Sequence, residues 1–374
     1  MNKIIAGIAS IMMCACSSEE MPNLRGELSG MQNDTIIVFA SNPIARKSVC
    51  IDTIPLVDNK FELNLPDSLI LNVSIIEKPQ GNNAIRMRSN SHFILLPGDK
   101  ISLKGELNDD INISSPLLYD KLNNIPEISE AEKKFKLLLN EYSSLYSDRE
   151  KNKEKIEEMK KQSKDMIVRI EDAKLKYVKQ NIDCLVSAYF VTQMGAKKGT
   201  EAYTMLTDNI KDGVMGEMLS QVMERNKNTI AREKARENIQ PGKAAPEFRL
   251  KNLKDEEMTL TSFHGKYVLL DFWGTWCGWC IKGMPKMKQY YAKYKNKMEI
   301  VGINCRDTED KWRAGVKELK LPWTNLYNGN SNEITNNYAI AGYPTKILID
   351  PKGKIVEVFV GESDAMYKKL DKMF

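Results

Sequence analysis

Residues 273–280 read Trp-Gly-Thr-Trp-Cys-Gly-Trp-Cys and directly follow the apolar run Tyr267–Phe272. Two cysteines with two residues between them, Cys277 and Cys280, make a dithiol that can close and open at the junction of a buried strand and a helix. Free amides and partial positive charge at a helix N-terminus favour thiolate over thiol, and the thiolate is the attacking species in disulfide exchange. Cys277 is therefore the expected nucleophile, opening a client disulfide to form a mixed disulfide. Cys280, one turn into the helix and more buried, then attacks Cys277 and releases the reduced client. No cofactor is expected beyond this redox-active pair. The reading requires that Cys277 is not sealed from solvent and ionises below the ordinary thiol value of about 8.5.

Other residue types near the dithiol fit the same chemistry. Asp271 lies on the strand, six residues before Cys277; burial there raises its pKa toward the working range of an acid–base group. Trp276 and Trp279 flank the cysteines and read as a docking surface for partner proteins, although Trp276 could equally pack on Trp273 or Tyr343. A CxxC alone also fits half of a zinc site. No second CxxC and no Cys/His pair follows, and His92 and His264 stand apart from other ligands, so no metal site is expected.

The elements that must position the dithiol follow an α/β alternation. Pro241-Gly242-Lys243-Ala244-Ala245-Pro246 stops a preceding helix and opens an extended segment. Strands are expected at Glu247–Leu250, Met258–Leu260, Tyr267–Trp273, Met298–Asn304, Thr345–Ile349 and Lys354–Val360. Helices are expected at Cys277–Lys295, Glu309–Leu319, Asn332–Tyr338 and Ser363–Lys372.

Residues 241–374 resemble a thioredoxin domain of the TlpA-like membrane-anchored thiol–disulfide oxidoreductases. The resemblance rests on Pro246-Glu247-Phe248, Leu270-Asp271-Phe272-Trp273, the Trp-Cys-Gly-Trp-Cys motif, Pro285, and Gly342-Tyr343-Pro344-Thr345. It implies that Asp271 moves the proton of Cys280. It also implies a cis-proline loop at Pro344, which sets the Tyr343 backbone beside the sulfurs to pair with an incoming peptide. Gly278 and Thr345 complete the implied client-binding set with Trp276, Trp279, Tyr343 and Pro344. Two departures stand out. Trp279 replaces the proline common before the second cysteine, and Gly283 replaces a glutamate common three residues after it. The direction of electron flow and any specific role in cytochrome maturation are therefore open. Cys305, ending a strand, reads as a lone free thiol.

Ahead of this domain, residues 24–115 carry short strand-like runs, at Thr35–Phe39, Lys60–Leu65, Leu71–Ile76, His92–Leu96 and Lys100–Gly105, separated by turn residues. They predict an antiparallel sandwich and resemble an uncharacterised β-module that precedes thioredoxin domains in lipoproteins of gut Bacteroidetes. Cys50 reads there as a buried small apolar residue. Residues 116–240 predict helices; Glu127–Lys179 is rich in Lys, Glu, Leu and Met. Leu137, Leu138, Tyr142, Leu145 and Tyr146 give one sticky face, so a spacer or homodimerisation element is expected, with Cys184 in core packing. The expected fold class is thus multidomain: β-sandwich, helical middle, C-terminal α/β thioredoxin fold.

Residues 1–15 read as a signal peptide: Lys3, then the apolar run Ile4–Met13, too short to span a bilayer. Ala15 before Cys16 resembles a bacterial lipobox, which implies cleavage there and acylation of Cys16, with 16–23 as a tether. Acyl chains at about 0.8 kcal/mol per buried methylene would anchor the chain firmly. The expected location is the periplasmic side of a bacterial membrane, the outer membrane by preference, with protein disulfide clients and a membrane electron-donor protein as partners. Of 374 residues, 55 are basic and 50 acidic; the interleaved excess gives no nucleic-acid footprint. A thiol peroxidase and a non-enzymatic binding lipoprotein are the competing readings.

Overall fold

The computed structural model describes residues 22–79, 91–107 and 111–374. The expected signal peptide, Cys16 and most of the tether lie outside these residues. The chain divides into two compact units, one ending at Met194 but also holding Ala202–Gln221, the other comprising Gly195–Glu201 and Val222–Phe374.

The first unit opens with β1 (Leu24–Ser29), β2 (Thr35–Asn42), β3 (Lys47–Pro55), β4 (Lys60–Leu63), β5 (Leu71–Glu77), β6 (Ser91–Leu95), β7 (Ile101–Glu106) and β8 (Ile111–Ser114). They form two four-stranded sheets, ordered β4-β1-β7-β8 and β3-β2-β5-β6. Alternate residues of β1, β2 and β5 are buried, the signature of strands with one face on a core. One pairing departs from the antiparallel expectation: β1 and β7 run parallel, Leu24 opposite Ile101. Tight turns force antiparallel pairing only on strands adjacent in sequence, and these two are far apart. β3 is mostly exposed, so no apolar alternation announced it, and Cys50 on it is half-buried rather than a core residue.

Helices follow: α1 (Tyr119–Asn123), α2 (Pro126–Leu145), α3 (Lys153–Gln180), α4 (Leu185–Gln193), α5 (Ala196–Met205), α6 (Asp208–Lys211) and α7 (Gly216–Arg236). The Gly/Pro-poor run splits after Leu145, whose carbonyl accepts from Asn152 Nδ2 at 3.1 Å. On the expected sticky face Leu137 and Tyr146 are exposed, while Leu138, Tyr142 and Leu145 are half-buried. Val186, Ala188, Phe190 and Val191 of α4 are buried. Cys184 is half-buried just before α4, its sulfur 3.9 Å from the Tyr177 hydroxyl. Among the described residues no helix is long and apolar enough to cross a membrane.

The second unit contains β9 (Arg249–Asn252), β10 (Glu257–Thr259), β11 (Tyr267–Trp273), α8 (Gly278–Tyr294), β12 (Met298–Cys305), α9 (Glu309–Glu318), β13 (Thr324–Gly329), α10 (Glu333–Asn337), β14 (Thr345–Ile349), β15 (Ile355–Val360) and α11 (Asp364–Met373). The sheet runs β10-β9-β13-β12-β11-β14-β15. β11 lies inside it, parallel to β12 and antiparallel to β14, and is buried on both faces, as its unbroken apolar run requires. Leu269 and Trp273 face a core shared with Cys277, Cys280, Met284 and Met287, and with Met366, Tyr367 and Leu370 of α11. Val268, Leu270 and Phe272 face the opposite core with Ile239, Phe248 and Tyr338. Each such fully buried apolar side chain contributes roughly 1.5–3 kcal/mol. β13 was not expected: Thr-Asn-Leu-Tyr-Asn-Gly has weak strand propensity, and tertiary pairing with β12 and β9 makes it a strand.

Candidate active site

α8 begins on the dithiol. Cys277 is its N-cap residue, in extended backbone, and its sulfur accepts the Cys280 amide at 3.2 Å. An N-cap acceptor satisfies an otherwise orphaned helix donor. The same N–H would stabilise negative charge on that sulfur when reduced. Cys277 and Cys280 are joined by a disulfide with Cα atoms 5.3 Å apart. Both are nearly buried, Cys277 at 6% and Cys280 at 3% exposure. The margin between them is narrower than the sequence suggested, because the Cys277 sulfur turns in toward the helix amides. Exposure at the site belongs to Gly278, Trp276 (46%) and Trp279 (64%).

The loop before α8 is clamped from below. Asp307 accepts from the Thr275 amide at 2.8 Å, the Thr275 hydroxyl at 2.6 Å and Asn304 Nδ2 at 2.7 Å. Trp276 donates its indole N–H to the Cys305 carbonyl at 3.0 Å and meets Tyr343 edge-on, ring centroids 5.1 Å apart. Arg306 lies over both rings, 5.7 Å from Trp276 and 5.2 Å from Tyr343. Position 274 must be glycine, since a β-carbon there would stand 2.4 Å from Trp276 Nε1 and 2.8 Å from the Cys305 carbonyl. Trp279 points outward, with Lys282 Nζ 4.9 Å above its ring.

The second loop of the site carries Tyr343, Pro344 and Thr345. The Tyr343–Pro344 peptide is cis. Thr345 donates its hydroxyl to the Gly342 carbonyl at 2.8 Å, and the Gly361 amide reaches the Pro344 carbonyl at 2.8 Å. Cys305 is free and buried, its thiol pushed up to about 12 chiefly by that burial. It stays protonated at neutral pH and is no second nucleophile there.

Asp271 is fully enclosed on the α8 side of β11, at 2% exposure. Strand alternation puts it between Leu269 and Trp273, on the face that also holds Cys280. Its carboxyl is lifted to about 6, by burial first, with Lys346 opposing and Glu362 adding to the rise. Lys346 is opposite it on β14, Nζ 3.8 Å from Oδ1, and 2.9 Å from Glu362 Oε2. A buried carboxyl lifted this far can exchange a proton near neutral pH.

The structure thus places buried Asp271 on the face of β11 whose core holds Cys277 and Cys280. Trp276 and Tyr343 touch at its rim, and Gly278 and Trp279 stand exposed at the helix start. Asp307, Arg306, Lys346 and Glu362 were not anticipated. Lys346 left a signal, a lone charge inside the apolar run Thr345–Ile349; Glu362 left none, because only the fold brings it to α8. Among the described residues no group of three or more His, Cys, Asp or Glu is placed to hold a metal ion.

A sequence profile of the AhpC/TSA family matches residues 241–358. Thiol-disulfide oxidoreductase ResA of Bacillus cereus is 38% identical over 128 residues, 34% of this chain and 73% of that protein. Thioredoxin-like protein YneN of Bacillus subtilis is 36% identical over 138 residues, 36% of this chain and 80% of that protein. A solved thioredoxin domain of a thiol-disulfide oxidoreductase from Bacteroides vulgatus is 32% identical, with a TM-score of 0.33, covering 36% of this chain and 96% of its own. With a relative of this identity matched over 73% of its length, the chain belongs to the thioredoxin-fold thiol–disulfide oxidoreductases.

Proposed function

We propose that this oxidoreductase exchanges disulfides with extracytoplasmic proteins through Cys277 and Cys280, as a reductant or isomerase held at a membrane by acylated Cys16. The observation that carries the exchange chemistry is the Cys280 amide donated to the Cys277 sulfur at the start of α8. In the reduced enzyme this N–H and the helix end hold Cys277 as thiolate. The thiolate attacks one client sulfur; the client S–S bond breaks, a mixed disulfide forms, and the departing client sulfur takes up a proton. Asp271 accepts the proton of Cys280, whose thiolate attacks Cys277. The Cys277–Cys280 bond forms and the second client thiol leaves. Two electrons pass from enzyme to client; the first client sulfur draws its proton from solvent, because Cys277 reacts as a thiolate, and the second receives the Cys280 proton back from Asp271. A membrane donor protein must return the electrons.

Trp276, Gly278, Trp279, Tyr343, Pro344 and Thr345 form the client-binding rim in this reading. Residues 24–115 make a β-module, 116–240 a helical spacer or homodimerisation element, and 241–374 the redox domain. Residues 1–15 are removed, and 16–23 tether the protein on the periplasmic side, in the outer membrane by preference. The lipobox-like Ala15-Cys16 pair supports the anchor.

The test is trapping. Cys280→Ser should accumulate mixed disulfides with periplasmic proteins, seen on non-reducing gels, and Cys277→Ser should form none. Insulin reduction should vanish in both. Peroxide consumption that survives Cys280→Ser would favour a thiol peroxidase. Full function after loss of both cysteines would favour a binding lipoprotein.

A further inference from the structure

Glu362 follows β15, far in sequence from the dithiol, yet its carboxylate lies against α8. A β-carbon at Gly283 would stand 2.4 Å from Glu362 Oε2 and 2.8 Å from Oε1. Gly283 is three residues after Cys280, on the same side of the helix, and is itself buried. The carboxylate therefore occupies the volume that any larger residue at 283 would fill, one turn beyond the second cysteine. It is held there on both oxygens: Lys346 Nζ donates to Oε2 at 2.9 Å and the Tyr367 hydroxyl donates to Oε1 at 3.0 Å.

Lys346 is consequently shared unequally. Its ammonium is within hydrogen-bond distance of Glu362 but 3.8 Å from Asp271 Oδ1. That Asp271 oxygen is buried and has no hydrogen-bond partner among the described residues. A buried carboxylate without a full partner is costly to ionise. The charged groups acting on Asp271 are Lys346 from β14 and Glu362 beyond β15; Asp271 in turn raises the Tyr367 hydroxyl of α11 and the Cys305 thiol at the end of β12, both protonated where Asp271 titrates. Cys280 of α8 shares its face of the sheet.

We propose that Glu362 is a positioning residue for thiol exchange: lodged against Gly283, it draws Lys346 away from Asp271 and so leaves that carboxyl able to take and return the proton of Cys280. The inference rests on the exchange reading above, and on the admission of Glu362 by glycine at 283. Two effects act in one direction. The negative charge of Glu362 disfavours a second one on Asp271, and its hold on Lys346 weakens the cation that would stabilise it. Without Glu362, Lys346 would turn to Asp271, making it a stronger acid and a weaker base for Cys280.

The experiment follows the Asp271 carboxyl band by infrared difference spectroscopy across pH, in the full chain with its disulfide closed, and uses Asp271→Asn to identify the band. Wild type is expected to titrate at about 6, and Glu362→Gln at least about one pH unit lower. The acidic limb of insulin reduction should move the same way. The double variant Gly283→Glu with Glu362→Ala, which offers a carboxylate to Lys346 from α8 instead, should return both toward wild type. An unmoved Asp271 titration in folded Glu362→Gln overturns the proposal. Should Glu362→Gln not fold, Glu362→Asp shortens the reach by one methylene, and an unmoved titration there overturns it equally. Wild type that fails to reduce any disulfide overturns the exchange reading instead, while the infrared titration, which needs no turnover, still decides the part of Glu362.

Discussion

Lys346 stands directly across the β11–β14 ladder from Asp271, and both side chains are buried between the sheet and α8. This is a cation inside a core, tolerable only because two carboxylates, Asp271 and Glu362, lie within 4 Å of its ammonium. The arrangement couples the stability of the redox domain to its proton chemistry.

Lys346→Met keeps the apolar stem and removes the charge. Breaking a buried ion pair from one side costs about 3–5 kcal/mol, so this variant should lose that much by urea unfolding at pH 8. The carboxyl of Asp271 should rise above its present value, since Lys346 is what holds it down. The loss should therefore shrink as pH falls and Asp271 becomes protonated. A pH-independent loss would mean that the lysine acts by packing alone.

Asp271→Asn should behave in the opposite sense. The folded carboxyl is raised from 3.8 to about 6, so the folded state binds the proton more tightly than the unfolded chain. The stability this brings is fully present below the unfolded value and is lost as pH rises through the folded one. At about 1.4 kcal/mol per unit, the charged carboxylate costs the fold on the order of 3 kcal/mol above pH 7. The neutral amide escapes this cost. The stability difference between variant and wild type, both with the disulfide closed, should swing toward the variant by that amount between pH 3.5 and 7.5. Denaturant midpoints across this window provide the measurement, and parallel curves would remove Asp271 as the buried acid.

Asp307→Ala takes away the acceptor of two side-chain donors and one amide. Hydrogen bonds to a charged acceptor are worth about 1.5–3 kcal/mol each in net terms, and Asn304 would be left with an unmet buried donor. A loss on the order of 3 kcal/mol is expected. Because the freed segment carries Thr275 and Trp276, alkylation of Cys277 in the reduced enzyme should change in rate, and should depend more steeply on pH around neutrality if the helix start loosens its hold on the thiolate. Unchanged alkylation with lowered stability would make Asp307 a support of the fold without influence on the sulfur.

How far the sequence revealed this site depends on the range of the contacts involved. The run Tyr267–Trp273 and the CxxC after it announce a buried strand and a helix start through local pattern, and β11 and α8 follow them within a residue or so. The cis peptide before Pro344 was legible only through resemblance, since no local periodicity encodes it, whereas the burial of Asp271 followed from its place in an apolar strand. β13 escaped because asparagines and a terminal glycine hide a strand that only its neighbours stabilise. The cluster of Glu362, Lys346 and Gly283 was invisible for the same reason: its members come from three elements, and the gap at 283 has meaning only once a carboxylate is seen to fill it. The parallel pairing of β1 with β7 belongs in this class as well.

Gly274→Ala tests the site through geometry rather than charge. The added methyl would meet Trp276 Nε1 at 2.4 Å, Cε2 at 2.7 Å and the backbone carbonyl of Cys305 at 2.8 Å. The indole could swing aside, but the carbonyl belongs to β12 and cannot yield without moving the strand. The indole's hydrogen bond to that same carbonyl would break in either case. Overpacking of this kind costs typically 1–3 kcal/mol. Released from Cys305, Trp276 should lose its edge-on contact with Tyr343, and its fluorescence should shift to longer wavelength as the ring enters water. Insulin reduction should slow with it if the Trp276–Tyr343 rim receives the client. Wild-type turnover alongside a fully red-shifted indole would remove Trp276 from the client-binding surface and leave Trp279 as the tryptophan that serves it.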